Sequence, residues 1–140
     1  MIYVDTSVIV PLLITEPKTQ VISSWFANLR ETSASADWLL TEFSSALSIK
    51  LRTGSITDTH AKQVRKEFAL LVEGGVRIYP VSRDAFRHAA KLAQQHEYGL
   101  RSGDSLHLAV ALELGVSHMA TLDAMLAANS QRNGISLIEF

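Results

Sequence analysis

Apolar and polar positions change period repeatedly along the chain, from short β-type runs to the three-and-four spacing of helices. Ile2-Tyr3-Val4 is a short strand that ends at Asp5. Thr6 or Ser7 then offers a cap for a helix whose apolar content begins at Val8. Pro17 suits the first turn of a second helix reaching about Leu29, with Val21, Trp25 and Leu29 at four-residue steps. Residues 32–36 are a candidate strand, and Asp37 opens a helix that Gly54 stops. Thr57 and Asp58 open another, which breaks at Gly74-Gly75. A strand over 76–79 closes at Pro80. A helix over 82–97 follows, with Phe86, Ala89, Ala90 and Ala93 in register. Ser102 offers a cap for a helix that ends at Gly115. Residues 118–122, 124–131 and 135–140 read as strand, helix and strand.

Strands alternating with helices predict an α/β three-layer sandwich: a mostly parallel sheet of about five strands, with helices on both faces. No repeat, charge block or linker divides the chain, so one domain over residues 1–140 is expected. In such sheets the ligand site lies beyond the carboxyl ends of the strands. Asp5 closes the first strand and Asp123 directly follows the fourth. Both acids fall at that edge.

Composition narrows the chemistry. Apolar residues make up 47% of the 140 and charged residues 19%, which suits a globular core and excludes a disordered chain. Cysteine is absent, removing disulfides, thiolate zinc sites and cysteine nucleophiles. The longest apolar run, residues 8–14, is too short to span a membrane, and no basic residue precedes Lys18. The expected location is cytoplasmic. Thirteen Lys and Arg against fourteen Asp and Glu give a net charge of −1, so no overall basic coat draws in nucleic acid.

Four carboxylates stand in unusual places. Asp5 and Asp123 each have an ordinary explanation as a cap or turn former. Glu42 shares a helix face with Leu39, Ala46 and Ile49, where an unpaired charge is costly to bury. Asp104 follows Ser102 by two residues, with Leu108 and Ala111 at its i+4 and i+7 positions; its ordinary explanation is the helix dipole. A convergent cluster of four acids would repel itself and so implies a cation. Oxygen donors without cysteine suit Mg²⁺ or Mn²⁺, which can activate water for attack on a phosphodiester.

In order along the chain stand Tyr3-Val4-Asp5-Thr6-Ser7, Glu42-Phe43 before Ser45-Ala46-Leu47, Asp104-Ser105-Leu106-His107-Leu108-Ala109, and Thr121-Leu122-Asp123. Together they resemble a PIN-domain ribonuclease of the VapC type, the toxin of a type II toxin–antitoxin pair, over essentially the whole chain. The resemblance implies a PIN-like sheet with the first and fourth strands adjacent. It implies that Asp5, Glu42 and Asp104 hold Mg²⁺ (with Mn²⁺ also supporting activity) and that Asp123 is a fourth, more peripheral catalytic acid. Thr6 or Ser7 would position an acid or a bound water. The implied activity is cleavage of RNA by a metal-activated water. The implied partner is a small VapB-type antitoxin docked near the site. Ala124-Met125 departs from the charged residues many relatives carry after the last acid, which weakens the case for substrate contacts there.

Other groups offer less. His107, three residues after Asp104, either orients that acid or is a satisfied helix residue, and the second reading is preferred. His60, His88 and His96 read as surface positions, and no spacing pairs two histidines for acid–base catalysis. Lys50 and Arg52, then Lys62, Arg65 and Lys66, then Arg83, Arg87 and Lys91 read mainly as solvated helix faces. Arg101, just before the Asp104 helix, is the preferred substrate contact. Apolar surface near Trp25 and Trp38 is expected to support a homodimer. Competing readings are a phosphotransfer domain (receiver-like or an aspartyl phosphatase) and a PIN-like binding module without activity. The phosphatase would want an acid where Ser7 stands, and the four intact acids argue against the inactive module.

Overall fold

The computed structural model describes residues 1–140. Strand β1 (Ile2–Val4) leads into helices α1 (Thr6–Leu13) and α2 (Thr19–Ala27), then strand β2 (Ser33–Ala36). Helices α3 (Trp38–Arg52) and α4 (Asp58–Gly74) precede strand β3 (Arg77–Tyr79) and helix α5 (Arg83–Gln94). A 3-10 turn at His96–Tyr98 leads to α6 (Ser102–Glu113), β4 (His118–Ala120), α7 (Ala124–Arg132) and β5 (Ser136–Leu137). The strands form one sheet of order β3-β2-β1-β4-β5, with every neighbouring pair parallel. This is the α/β three-layer architecture expected from the alternation, and β1 and β4 are neighbours.

Strand side chains alternate faces, and β1 shows what that does. Ile2 and Val4 join an apolar cluster with α1 to α4, including Val8, Ile9, Ile22, Leu39, Phe43 and Val64. Tyr3 points the other way, into a cluster built from α5, α6 and α7. The strand is buried on both sides, so it reads as an unbroken apolar run. No helix is long and apolar enough to cross a membrane.

Several local expectations are corrected. Neither Thr6 nor Ser7 caps α1; Asp5 occupies the cap position without a side-chain cap bond. Ser102 lies inside α6, whose cap position falls to Arg101. Asp37 precedes α3 but makes no side-chain cap bond, because its own backbone is already helical. In α2 the buried residue is Ile22, while Val21 is 43% exposed. In α5 the inward face is Ala85, Ala89 and Leu92, leaving Phe86 53% exposed and Ala90 in solvent. Both errors are a shift of one residue, about 100° around a helix, which small or mixed side chains do not resolve. Strand β4 stops at Ala120, two residues short of expectation, because Thr121 and Leu122 turn toward Ser7. The apolar surface near the two tryptophans is largely used internally: Trp25 packs edge-on against Phe140 at 5.1 Å, and Trp38 packs on the α5–α7 cluster.

Candidate active site

The chain builds the sheet outward from β1 to β2 and β3, then returns to the other side of β1 with β4 and β5. A parallel sheet wound this way leaves a crevice between the carboxyl ends of the strands where the order reverses. Here that point lies between β1 and β4. Asp5 leaves β1 there, and Thr121 to Asp123 leave β4 beside it. Helices α3 and α6 supply Glu42 and Asp104 from the sides. The result is a pocket of about 310 Å³ lined by all four acids together with Thr6, Ser7, Ser45, Ala46 and Ile49.

Asp5 is the deepest acid, at 3% exposure. Ser7 Oγ donates to its Oδ1 at 2.7 Å and Thr121 Oγ1 donates to its Oδ2 at 3.1 Å. These hydroxyls are themselves anchored, since Leu122 N donates to Ser7 Oγ and Asp123 N donates to Thr121 Oγ1. The carboxylate is turned toward these hydroxyls and makes no side-chain bond to the first turn of α1. Burial pushes the Asp5 carboxyl up to about 6, against the pull of His107 and of the two hydroxyls.

Glu42 is held differently. Its face of α3 is a rim rather than a core stripe: Leu39, Phe43 and Leu47 are buried, while Ile49, seven residues on from Glu42, is 49% exposed. Thr6 Oγ1 donates to Glu42 Oε2 at 2.6 Å, and His107 Nε2 lies 2.7 Å from the same oxygen. Burial raises the Glu42 carboxyl, but His107, the Thr6 hydroxyl and the Trp38 indole N–H outweigh it and hold the group below its ordinary value. Gly103, in the first turn of α6, makes the approach possible. A Cβ there would fall 2.6 Å from Glu42 Oε1 and 3.1 Å from Trp38 Nε1.

Asp104 carries no hydrogen bond from the chain; Arg101 Nε stands 3.9 Å from its Oδ2, on a side chain that is 83% exposed. Burial raises its carboxyl, and so do the charges of Asp123 and Glu42. Asp123 does cap α7, its Oδ1 accepting from Leu126 N at 2.8 Å. The ordinary explanation for that residue therefore holds, and it still leaves the side chain on the pocket wall. His107 is the residue that sequence reasoning undervalued. It is fully buried and satisfied, but its partner is Glu42 rather than Asp104. Its three-residue spacing from Asp104 gives no hint of a contact 65 positions away. The remaining histidines do not line the pocket.

The donor set fits a hard divalent cation: oxygen atoms alone, with two of the carboxyls raised by burial and by their acidic neighbours. No three acid or histidine side chains are arranged to close around an ion as they stand. Mg²⁺ does not need three, since it is commonly held by one or two carboxylates plus waters and substrate phosphate.

The PIN domain profile matches residues 2–131, and the chain belongs to that family. Its fold is that of several solved structures. VapC20 of Mycobacterium tuberculosis, a sarcin-ricin loop cleaving toxin, superposes with a TM-score of 0.74 at 18% identity, over 92% of this chain and 95% of that one. FitAcB of Neisseria gonorrhoeae gives 0.74 at 16% identity, over 99% and 97%. VapBC2 of Rickettsia felis, bound to a DNA fragment from its promoter, gives 0.65 at 16% identity, over 100% and 99%. A sequence comparison with functionally curated proteins gives no match.

Proposed function

We propose that residues 1–140 form one PIN domain that cleaves RNA phosphodiesters with a divalent cation, and that it is the toxin of a toxin–antitoxin pair. The observation that carries this reading is the convergence of Asp5, Glu42, Asp104 and Asp123, from four separate segments, on one pocket at the sheet's switch point. Family membership supports it, as does a fold shared with a structure described as a cleaving toxin.

Asp5, Glu42 and Asp104 would hold Mg²⁺ or Mn²⁺, which supplies an activated water and neutralises charge on the phosphate. The chain's own contribution is orientation. Ser7 and Thr121 fix both oxygens of Asp5, and Thr6 fixes one oxygen of Glu42, so two acids are held for a cation without reorganising. Asp104 accepts no hydrogen bond from the chain and has only the exposed Arg101 side chain paired with it. Asp123 caps α7 through Oδ1 and lines the pocket as well. Arg101 is the exposed cation beside this acidic pocket and would meet a phosphate.

The antitoxin would cover the rim. Next to the acids lies a groove of about 520 Å³ lined by Val10, Ala46, Ile49 and Leu122, where Ile49 and Leu122 are 49% and 38% exposed. The protein would also pair with a second copy of itself, and light scattering at the mass of a dimer is the expected result. Purified protein should cleave single-stranded or loop RNA in Mg²⁺ or Mn²⁺ and stop in EDTA. Asp5→Asn and Asp104→Asn should be inactive, and expression alone should arrest growth unless the neighbouring gene is co-expressed. Cleavage that survives EDTA, or both substitutions, overturns the reading.

A further inference from the structure

The polar contacts of the acid pocket continue inward to a residue with no access to substrate. Tyr3, in the middle of β1, is fully buried, and its hydroxyl lies 2.9 Å from His107 Nδ1. His107, on α6 and also fully buried, reaches Glu42 Oε2 with its other nitrogen at 2.7 Å. Thr6 Oγ1 is 3.4 Å from that nitrogen and donates to the same carboxylate oxygen. The chain Tyr3–His107–Glu42 thus ties the central strand, through α6, to α3.

The proton positions follow from what each group can do. An ionised carboxylate only accepts, so the hydrogen between His107 and Glu42 belongs to Nε2. In a neutral imidazole the other nitrogen then accepts, and the phenolic O–H of Tyr3 is the donor that faces it. We propose that His107 is a positioning residue for the acid pocket: locked by Tyr3 as the Nε2–H tautomer, it fixes Glu42 through Oε2 in the orientation that receives a divalent cation. This rests on the metal-dependent reading above. Glu42 then has Oε2 occupied by Thr6 and His107 and its Oε1 side set against Gly103, so the whole carboxylate is held in one orientation. The ring contact between Tyr3 and His107, edge-on with centroids 5.7 Å apart, leaves the imidazole little freedom to flip.

Two measurements test this. The first is ¹⁵N NMR of the histidine ring nitrogens in metal-free protein, which should show His107 protonated on Nε2 and bare on Nδ1. Protonation on Nδ1 overturns the proposal whether or not metal binds. The second is Mn²⁺ binding by calorimetry, without RNA. His107→Leu should bind Mn²⁺ about 10- to 100-fold more weakly than wild type, the usual effect of losing a group behind a metal ligand. His107→Gln, whose amide N–H can take the place of Nε2–H, should recover most of that loss. Tyr3→Phe, which keeps the ring and its packing, should weaken binding and relax the single tautomer. Thermal melts of each variant in EDTA establish that the protein is folded. Mn²⁺ affinities equal to wild type in folded His107→Leu and Tyr3→Phe overturn the proposal alone. No Mn²⁺ binding by wild type overturns the nuclease reading and this proposal with it.

Discussion

Holding the Asp5 charge in the pocket is costly, because burial disfavours its ionised form. Burial lifts its carboxyl from 3.8 to about 6 in the folded protein. The folded chain therefore binds this proton more tightly than the unfolded chain does. The stability that Asp5 contributes must fall as pH rises through about 4 to 6 and stay at the lower level above that window. At about 1.4 kcal/mol per pH unit, the loss is about 3 kcal/mol at neutral pH, undiminished by solvent because the group is 3% exposed. Asp5→Asn is neutral at every pH and keeps an acceptor for one of the two hydroxyls. In EDTA at pH 7.5 it should exceed wild type by up to about 3 kcal/mol, or about 9 °C at about 3 °C per kcal/mol for a chain of this length. At pH 4 the two should nearly coincide. Mn²⁺ at a hundred times its Kd should return about 2.7 kcal/mol to wild type and little to the variant. Thermal melts of both proteins at pH 4, 5.5 and 7.5, with EDTA or Mn²⁺, make the comparison, since titrating groups remote from the pocket cancel in the difference. A variant less stable than wild type at pH 7.5, or a difference that ignores pH, refutes the argument.

The other acids make separable predictions. Asp104→Asn removes a carboxyl raised by burial and by the charges of Asp123 and Glu42, so the metal-free variant should melt at or above wild type and lose most of its Mn²⁺ response. If the residue served only the helix dipole, the same change would cost about 0.3–1 kcal/mol with or without metal. Asp123→Asn should keep the α7 cap and the melting temperature while RNA cleavage falls, whereas Asp123→Ala should also lose about 1 kcal/mol of stability; full cleavage by both variants would leave the residue a cap and nothing more. Gly103→Ala would improve an ordinary helix, but here its Cβ meets Glu42 Oε1 and Trp38 Nε1. It should destabilise by about 1–3 kcal/mol and weaken Mn²⁺ binding, and a stabilised variant counts against the close approach.

The chain's local pattern was enough to specify the alternation of strands and helices, and with it the parallel sheet. Period and punctuation are properties of neighbouring residues, and Gly54, Gly74-Gly75 and Pro80 mark boundaries that the structure keeps to within a residue or two. The four acids were legible for the same reason: each is anomalous against its immediate surroundings, at a strand end or on an apolar helix face. What local pattern could not decide was who satisfies whom. Thr6 and Ser7 look like helix caps from their neighbours, yet the sheet brings Thr121 to Asp5 across 116 positions and α3 brings Glu42 to Thr6 across 36. Their hydroxyls go to those carboxylates instead. His107 looks like one more residue of an apolar helix until β1 places Tyr3 on one side of it and α3 places Glu42 on the other. Hydrogen bonds between elements depend on strand order, and strand order is fixed only when both layers of helices pack. So the sequence by itself named the acids, and the tertiary structure decided how each is held.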